Sequence, residues 1–189
     1  MSYLFINKAP MQSIFWPKKN SRLKQVLLVL SGVLLLAFAS QLSIPLRPIP
    51  LTFQSVTVVL IGMAYGARYG TYVVAAYLLA GILGIPVFAD YSDGIAKLYG
   101  PTAGYLIGFL PAVLLSGYLA QKGWAKTIAG SFAAACLGVG VIFFCGVTVL
   151  AQFIGLHNAI AFGVMPFVVA EPIKLIAAAC IIPRFWKKR

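Results

Sequence analysis

Long uncharged apolar stretches, repeated along the chain and separated by short polar segments, constrain this sequence more than any other feature. All but one of these stretches have 17 residues or more, which lets a helix cross the hydrocarbon core of a bilayer. A soluble chain that is 61% hydrophobic, with only three acidic residues among 189, would expose large apolar patches. We therefore predict an all-α integral membrane protein with six transmembrane helices, at residues 23–44, 51–65, 69–85, 104–120, 127–154 and 159–183.

The distribution of lysine and arginine predicts the topology. In a soluble protein the net charge of +12 would suggest a nucleic-acid partner, but these basic residues lie in short segments between apolar runs. Six spans place twelve of them on one side and only Arg47 and Lys97 on the other, with Lys174 inside the membrane. The positive-inside rule then puts both termini in the cytoplasm, and the 45–50 loop, the 88–100 loop and the turn with His157 outside. We predict two parts, a cytoplasmic or interfacial lead at 1–22 and one six-helix substrate-binding domain at 23–189.

Glu171 and Lys174 are the charged residues that lie deepest in an apolar run. At helical spacing they share a face, and Pro172 between them weakens the helix by removing one backbone N–H. An unpaired ionisable group at this depth costs about 2.5–3.5 kcal/mol. The pair either ties helices together or faces a ligand, with Lys174 meeting an anion and Glu171 a ligand N–H. We favour the ligand site, because burying charges is a poor way to gain stability.

Polar and aromatic residues near the predicted outer loops are further candidates for a binding site. The amide of Gln54 can donate and accept, which suits a ligand amide or urea, although a helix–helix hydrogen bond explains it equally well. Aromatic side chains near these loops are able to wall a pocket or to anchor the protein at the membrane interface. These are Phe53, Phe88, Tyr91, Tyr99 and Tyr105.

Catalytic motifs are incomplete in this chain. It has no G-x-x-x-x-G-K-[ST] motif for ATP, and its single histidine, His157, has no acidic neighbour in sequence. The D-x-x-D-G run that starts at Asp90 opens the metal-binding motif of membrane phosphatidyltransferases, but only Glu171 follows Asp93 as an acidic residue, so a solvated turn or ligand lid is favoured. The three cysteines lie in apolar spans without zinc-ligand spacing. We expect no enzyme activity, metal or cofactor.

Four motifs in order resemble the BioY family, the biotin-binding S components of energy-coupling factor (ECF) transporters. The resemblance covers most of the chain from residue 23 onward. The motifs are P-x-P-L-T-x-Q at 48–54, G-I-P-V-F-A at 84–89, G-P-T-A-G-Y-L-I-G-F at 100–109 and E-P-I-K at 171–174.

The resemblance implies the six-helix S-component fold in the bacterial cytoplasmic membrane, with biotin bound in an outward pocket under the first loop. It also implies a transmembrane coupling subunit and two ATPase subunits as partners. Carried over by position, the pocket candidates are Gln54, Phe88, Asp90, Tyr91, Gly104, Tyr105, Glu171 and Lys174. The alternatives are an S component for another vitamin and a solitary biotin transporter without an ATPase module.

One departure from the family pattern concerns the first helix. S components are expected to present small residues four apart there, where they dock on the coupling subunit. This helix offers Ala39 with Ser43 but no clear A-x-x-x-A. Docking on that subunit is therefore less well supported by the sequence than biotin binding.

Overall fold

The computed structural model describes residues 22–186, so all but the last residue of the predicted lead at 1–22 and the last three residues of the chain lie outside the described part. The described chain is helical except for its loops and one two-stranded sheet, in which β1 (Ser43–Ile44) pairs antiparallel with β2 (Leu51–Thr52). The helices are α1 (Arg22–Gln41), α2 (Gln54–Ile82), α3 (Ala103–Gln121), α4 (Ile128–Ile154), α5 (Leu156–Gly163) and α6 (Phe167–Trp186).

Helix α2 is folded back on itself at Gly66. The backbone of this residue lies at φ 80° and ψ 167°, outside the helical region and accessible to glycine at low cost. Gln54 Nε2 lies 2.6 Å from Tyr77 Oη, although the two residues would be roughly 35 Å apart along a straight helix. The arms at 54–65 and 67–82 therefore form an antiparallel hairpin, as predicted from the Gly-Ala-Arg turn.

This hairpin brings the number of membrane-crossing segments in the described region to six. Four helices are long and apolar enough to span a bilayer, and α5 with α6, bent by 47°, form a fifth candidate. Counting each arm of α2 separately agrees with the six predicted spans. Because the number is even, α1 begins and α6 ends at the same end of the bundle, where Trp186 Nε1 donates to Met63 O beside the Gly66 turn.

Two local predictions were wrong. The turn expected at 155–158 is a single residue, because Gly155 at φ 77° reverses the chain and α5 begins at once, which places His157 in a helix. The sixth span is not continuous, since the helix breaks at 164–166 around Pro166 and resumes as α6. Pro172, in contrast, is accommodated inside α6.

Small residues allow the helices to approach closely. A Cβ on Gly117 of α3 would lie 2.5 Å from Ala67 N of α2. A Cβ on Gly138 of α4 would lie 2.6 Å from the side chain of Val59 and 3.4 Å from Ala112 O. The cavity described below lies beside the loop between β1 and β2 and the 88–100 loop.

Candidate functional site

A cavity of about 230 Å³ lies at the end of the bundle opposite the Gly66 turn. It is enclosed by the 46–50 loop, the start of α2, the 88–97 loop, α3, α4 and the first residue of α6. The proline-rich stretch at 45–50 is non-helical, as predicted, and the β1–β2 pairing brings its two ends together over the cavity.

Gln54 lies at the inner end of the cavity and is 5% exposed. Its Nε2 donates to Tyr77 Oη at 2.6 Å, and Tyr77 Oη donates to Val87 O at 2.9 Å. Its Oε1 accepts from Thr52 Oγ1 at 3.2 Å. Gln54 therefore makes the helix–helix hydrogen bond that was one of its two predicted roles, and it also lines the cavity. One N–H and one lone pair of the amide are left for a ligand.

Glu171 and Lys174 form a buried ion pair, and neither residue lines the cavity. Besides Glu171, Lys174 Nζ donates to Thr52 O at 2.8 Å and to Ser55 Oγ at 3.3 Å. The ammonium also lies 5.5 Å from the ring centre of Phe53. All three of its N–H groups therefore have acceptors within the protein.

Ser55 joins this ion pair to the cavity. Its side chain lines the cavity, and its hydroxyl lies 2.8 and 3.0 Å from the two carboxylate oxygens of Glu171. The sequence analysis did not single out Ser55. Its signal is weak, a hydroxyl directly after Gln54 at the start of an apolar span.

Aromatic rings form the wall between the inner end and the mouth of the cavity. Tyr105 and Phe143 meet edge to face with centroids 6.0 Å apart, and Phe143 meets Phe167 in the same way at 5.2 Å. Phe88 lines the opposite side and packs on Tyr77 at 5.6 Å. The Tyr105 hydroxyl donates to Gly163 O at 2.9 Å, so it is bonded at the α5–α6 break.

The mouth of the cavity is lined by Arg47, Lys97 and Asp90. All three residues are exposed, and Asp90 Oδ1 accepts from Ser43 Oγ at 3.1 Å. Within residues 22–186, the side chains of Arg47 and Lys97 have neither an ion-pair nor a hydrogen-bond partner. The sequence analysis used these two cations only to assign topology.

Two of the predicted residues, Tyr91 and Gly104, do not line the cavity. The Tyr91 side chain is 73% exposed, and its backbone N–H donates to Gln41 Oε1 at 3.1 Å. Gly104 faces α4, where a Cβ would lie 2.3 Å from Cys145 O. The structure therefore gathers Gln54, Phe88, Asp90 and Tyr105 around one cavity and places Glu171 and Lys174 behind Ser55.

The part of the chain that the structure describes contains no group of three or more His, Cys, Asp and Glu residues able to hold a metal ion. Its three cysteines, Cys136, Cys145 and Cys180, are free.

Comparison with known proteins finds relatives along nearly the whole chain. A sequence model of the BioY family matches residues 12–189. A Thermotoga maritima protein named biotin transporter BioY is 40% identical over 154 residues, which are 81% of this chain and 90% of that protein. A Pyrococcus horikoshii protein named probable biotin transporter BioY is 37% identical over 161 residues, 85% of this chain and 95% of that protein.

A solved structure has the same fold. It is titled the S-component for biotin from an ECF-type ABC transporter, and it superposes with a TM-score of 0.80 at 26% sequence identity. The match covers 90% of this chain and 94% of that one.

Proposed function

The chain belongs to the BioY family, and on that premise we propose that it is a biotin-binding S component, the membrane subunit that takes up biotin in an ECF-type transporter. It is a multi-pass protein of the bacterial cell membrane and not an enzyme. The observation that supports this most directly is the cavity, which has buried hydrogen-bonding groups at its inner end, aromatic walls, and two cations at its mouth that have no partner among residues 22–186.

The chemistry of the cavity matches biotin from end to end. The ureido group of biotin both donates and accepts, which the Gln54 amide and the Ser55 hydroxyl complement. Its thiophane ring and valeryl chain are apolar and fit between Phe88, Tyr105 and Phe143. Its carboxylate requires a cation or several donors.

The hydrogen bonds of Lys174 support one orientation of biotin. Each N–H of the Lys174 ammonium already has an acceptor, and Glu171 neutralises its charge. A ligand carboxylate at the inner end would have to compete with all of these partners. Arg47 and Lys97 have no such partners within the described residues and lie at the mouth. We therefore place the ureido group inward and the carboxylate outward, toward these two cations.

The predicted pocket residues then have different roles. Gln54, Phe88, Asp90 and Tyr105 contact the ligand or its nearest water, whereas Glu171 and Lys174 act through Ser55. Gly104 contributes by letting α4 approach α3, and Tyr91 contributes through its backbone. This assignment keeps four of the predicted residues at the ligand, gives the other four an indirect part, and adds Ser55, Arg47 and Lys97.

The distribution of charge supports a cytoplasmic location for both termini. The Gly66 turn with Arg68 and the turn with Lys122 and Lys126 lie at the end of the bundle where α6 stops. Of the exposed basic residues in the described region, only Arg47 and Lys97 lie at the cavity end. By the positive-inside rule the cavity opens to the outside, as uptake requires.

The chain has no P-loop motif with which to hydrolyse ATP itself, and we propose that partner subunits supply the energy for transport. The proposed partners are a transmembrane coupling subunit and two ATPase subunits. Ala39, the small residue considered for docking, is 4% exposed, and Ser43 is bonded to Asp90, so this pair does not form a free surface. Any docking surface on α1 has to use other residues.

Two experiments test these proposals. Detergent-purified protein titrated with biotin should bind one equivalent, and it should not bind thiamine or riboflavin. A folded sample that does not bind biotin would remove the proposed function. Uptake of labelled biotin by cells that express this chain with and without ECF partner subunits then tests the energy source, and equal uptake in both would favour a solitary transporter.

A further inference from the structure

The loop at 87–92 forms part of the cavity wall and has an unusual backbone. Asp90 and Tyr91 have φ values of 58° and 52°, in the left-handed region that residues with a Cβ rarely adopt. Phe88 N donates to Ser92 O at 3.0 Å, which closes a tight turn around the two residues. Such a conformation persists only where the surrounding structure holds it in place.

The side chain of Gln41, the last residue of α1, holds this turn from both sides. Its Nε2 donates to Phe88 O at 2.9 Å, and its Oε1 accepts from Tyr91 N at 3.1 Å. The second N–H of the amide donates to Ser40 Oγ at 2.9 Å. Both N–H groups of Gln41 are therefore used within the protein, and Gln41 does not line the cavity.

The residues on either side of Gln41 extend this attachment. Ser40 is fully buried, and its hydroxyl lies 2.7 Å from both Val87 O and Ala37 O, which share its one proton. Ser43 Oγ donates to Asp90 Oδ1 at 3.1 Å. The segment at 40–43 thus contacts the 87–92 turn through Val87, Phe88, Asp90 and Tyr91.

We infer that Gln41 is a positioning residue for the binding pocket, which acts by holding Phe88, Ala89 and Asp90 in the cavity wall. The inference rests on the proposed function only in taking biotin as the ligand. Without the Gln41 amide, the left-handed turn loses a donor and an acceptor at once and relaxes. The wall that it forms then no longer encloses a bound ligand.

The test compares Gln41→Leu with Gln152→Leu, a matched substitution at an exposed glutamine of α4. Hydrogen exchange of the Tyr91 amide is measured in ligand-free protein, and the dissociation rate of radiolabelled biotin is measured separately. Gln41→Leu should accelerate both by at least about tenfold, while Gln152→Leu leaves both unchanged. If Gln41→Leu does not fold, Gln41→Glu decides, because it keeps the acceptor for Tyr91 N–H and loses the donors to Phe88 O and Ser40 Oγ. It should preserve Tyr91 protection and accelerate biotin dissociation.

Unchanged Tyr91 exchange in Gln41→Leu would overturn the inference, as would faster exchange with an unchanged rate of biotin release. For Gln41→Glu, unchanged biotin release would overturn it. A wild-type protein that does not bind biotin refutes the proposed function instead, and the Tyr91 exchange then still tests whether Gln41 holds the turn.

Discussion

Ser55 donates to the carboxylate of Glu171 across 116 residues of sequence, at 2.8 and 3.0 Å from its two oxygens. This contact links Ser55, which lines the cavity, to an ion pair whose two residues do not line it. Because Glu171 is also paired with Lys174, the Ser55 hydroxyl has its position and direction set by a buried charge. The role in binding that we propose for the ion pair is therefore indirect, through Ser55 and without contact with the ligand.

The first prediction concerns this ion pair. Lys174→Met leaves the Glu171 carboxylate buried and unpaired, which should lower the free energy of unfolding by about 3–5 kcal/mol. Biotin affinity should fall by about a hundredfold or more, because Ser55 loses its fixed orientation. Thermal unfolding in detergent and biotin titration measure the two effects, with the exposed Lys122→Met as the control.

The double variant Glu171→Gln with Lys174→Met separates binding from stability. Removing both charges should restore most of the lost stability but not the affinity. If affinity returned along with stability, the ion pair would only tie the helices together.

The second prediction tests the orientation of biotin. Arg47→Gln and Lys97→Gln should each weaken biotin binding by about tenfold, since each removes a charge-assisted contact at an exposed mouth. Both effects should nearly vanish for biotin methyl ester, which has no carboxylate. Arg68→Gln, at the opposite end of the bundle, is the control. Equal losses for acid and ester would place the carboxylate elsewhere.

The third prediction concerns Gly81, against which the Phe88 ring packs. A Cβ on Gly81 would lie 2.1 Å from the Phe88 ring, so Gly81→Ala has to push this ring out of its site. The overpacking should cost about 1–3 kcal/mol of stability and displace part of the cavity wall. We expect biotin affinity to fall by about tenfold.

Gly140→Ala in α4 is the matched control for this change. A Cβ there meets nothing within 4 Å, so the helix should gain up to about 1 kcal/mol from the propensity of alanine. Normal affinity in Gly81→Ala would mean that the Phe88 wall does not contact the ligand.

The sequence was sufficient for features that depend on local pattern. Uncharged runs predicted the six crossings, and Gly66 with Arg68 marked the hairpin turn of α2. Glu171 and Lys174 stood out because charge inside an apolar run is costly. These features can be read from neighbouring residues alone.

Features that depend on contacts between distant segments could not be predicted in this way. The bonds of Gln41 to Phe88 and Tyr91 join residues about fifty positions apart, and neither end has a sequence signature. Gly104 was a pocket candidate because it lies beside Tyr105 in the 100–109 motif of the BioY resemblance, yet it faces α4. The single-residue reversal at Gly155 was missed because a glycine does not reveal which φ it will adopt.

The last prediction separates the ring of Tyr105 from its hydroxyl. The ring lines the cavity, whereas the hydroxyl donates to Gly163 O at the α5–α6 break. In a continuous helix Gly163 O would accept from Phe167 N, but Phe167 N donates to Val164 O. Tyr105→Phe should therefore lower the free energy of unfolding by about 1–3 kcal/mol, because a buried carbonyl loses its donor. Biotin affinity should change by less than about threefold, since the aromatic wall remains.

Tyr105→Ala, in contrast, removes the wall and should weaken biotin binding by about a hundredfold. Tyr99→Phe, at a tyrosine that is 76% exposed, controls for the loss of a hydroxyl. Thermal unfolding and biotin titration of the three variants measure both quantities. If Tyr105→Phe lost as much affinity as Tyr105→Ala, the hydroxyl would contact biotin directly, and its bond to Gly163 would have to break when the ligand enters.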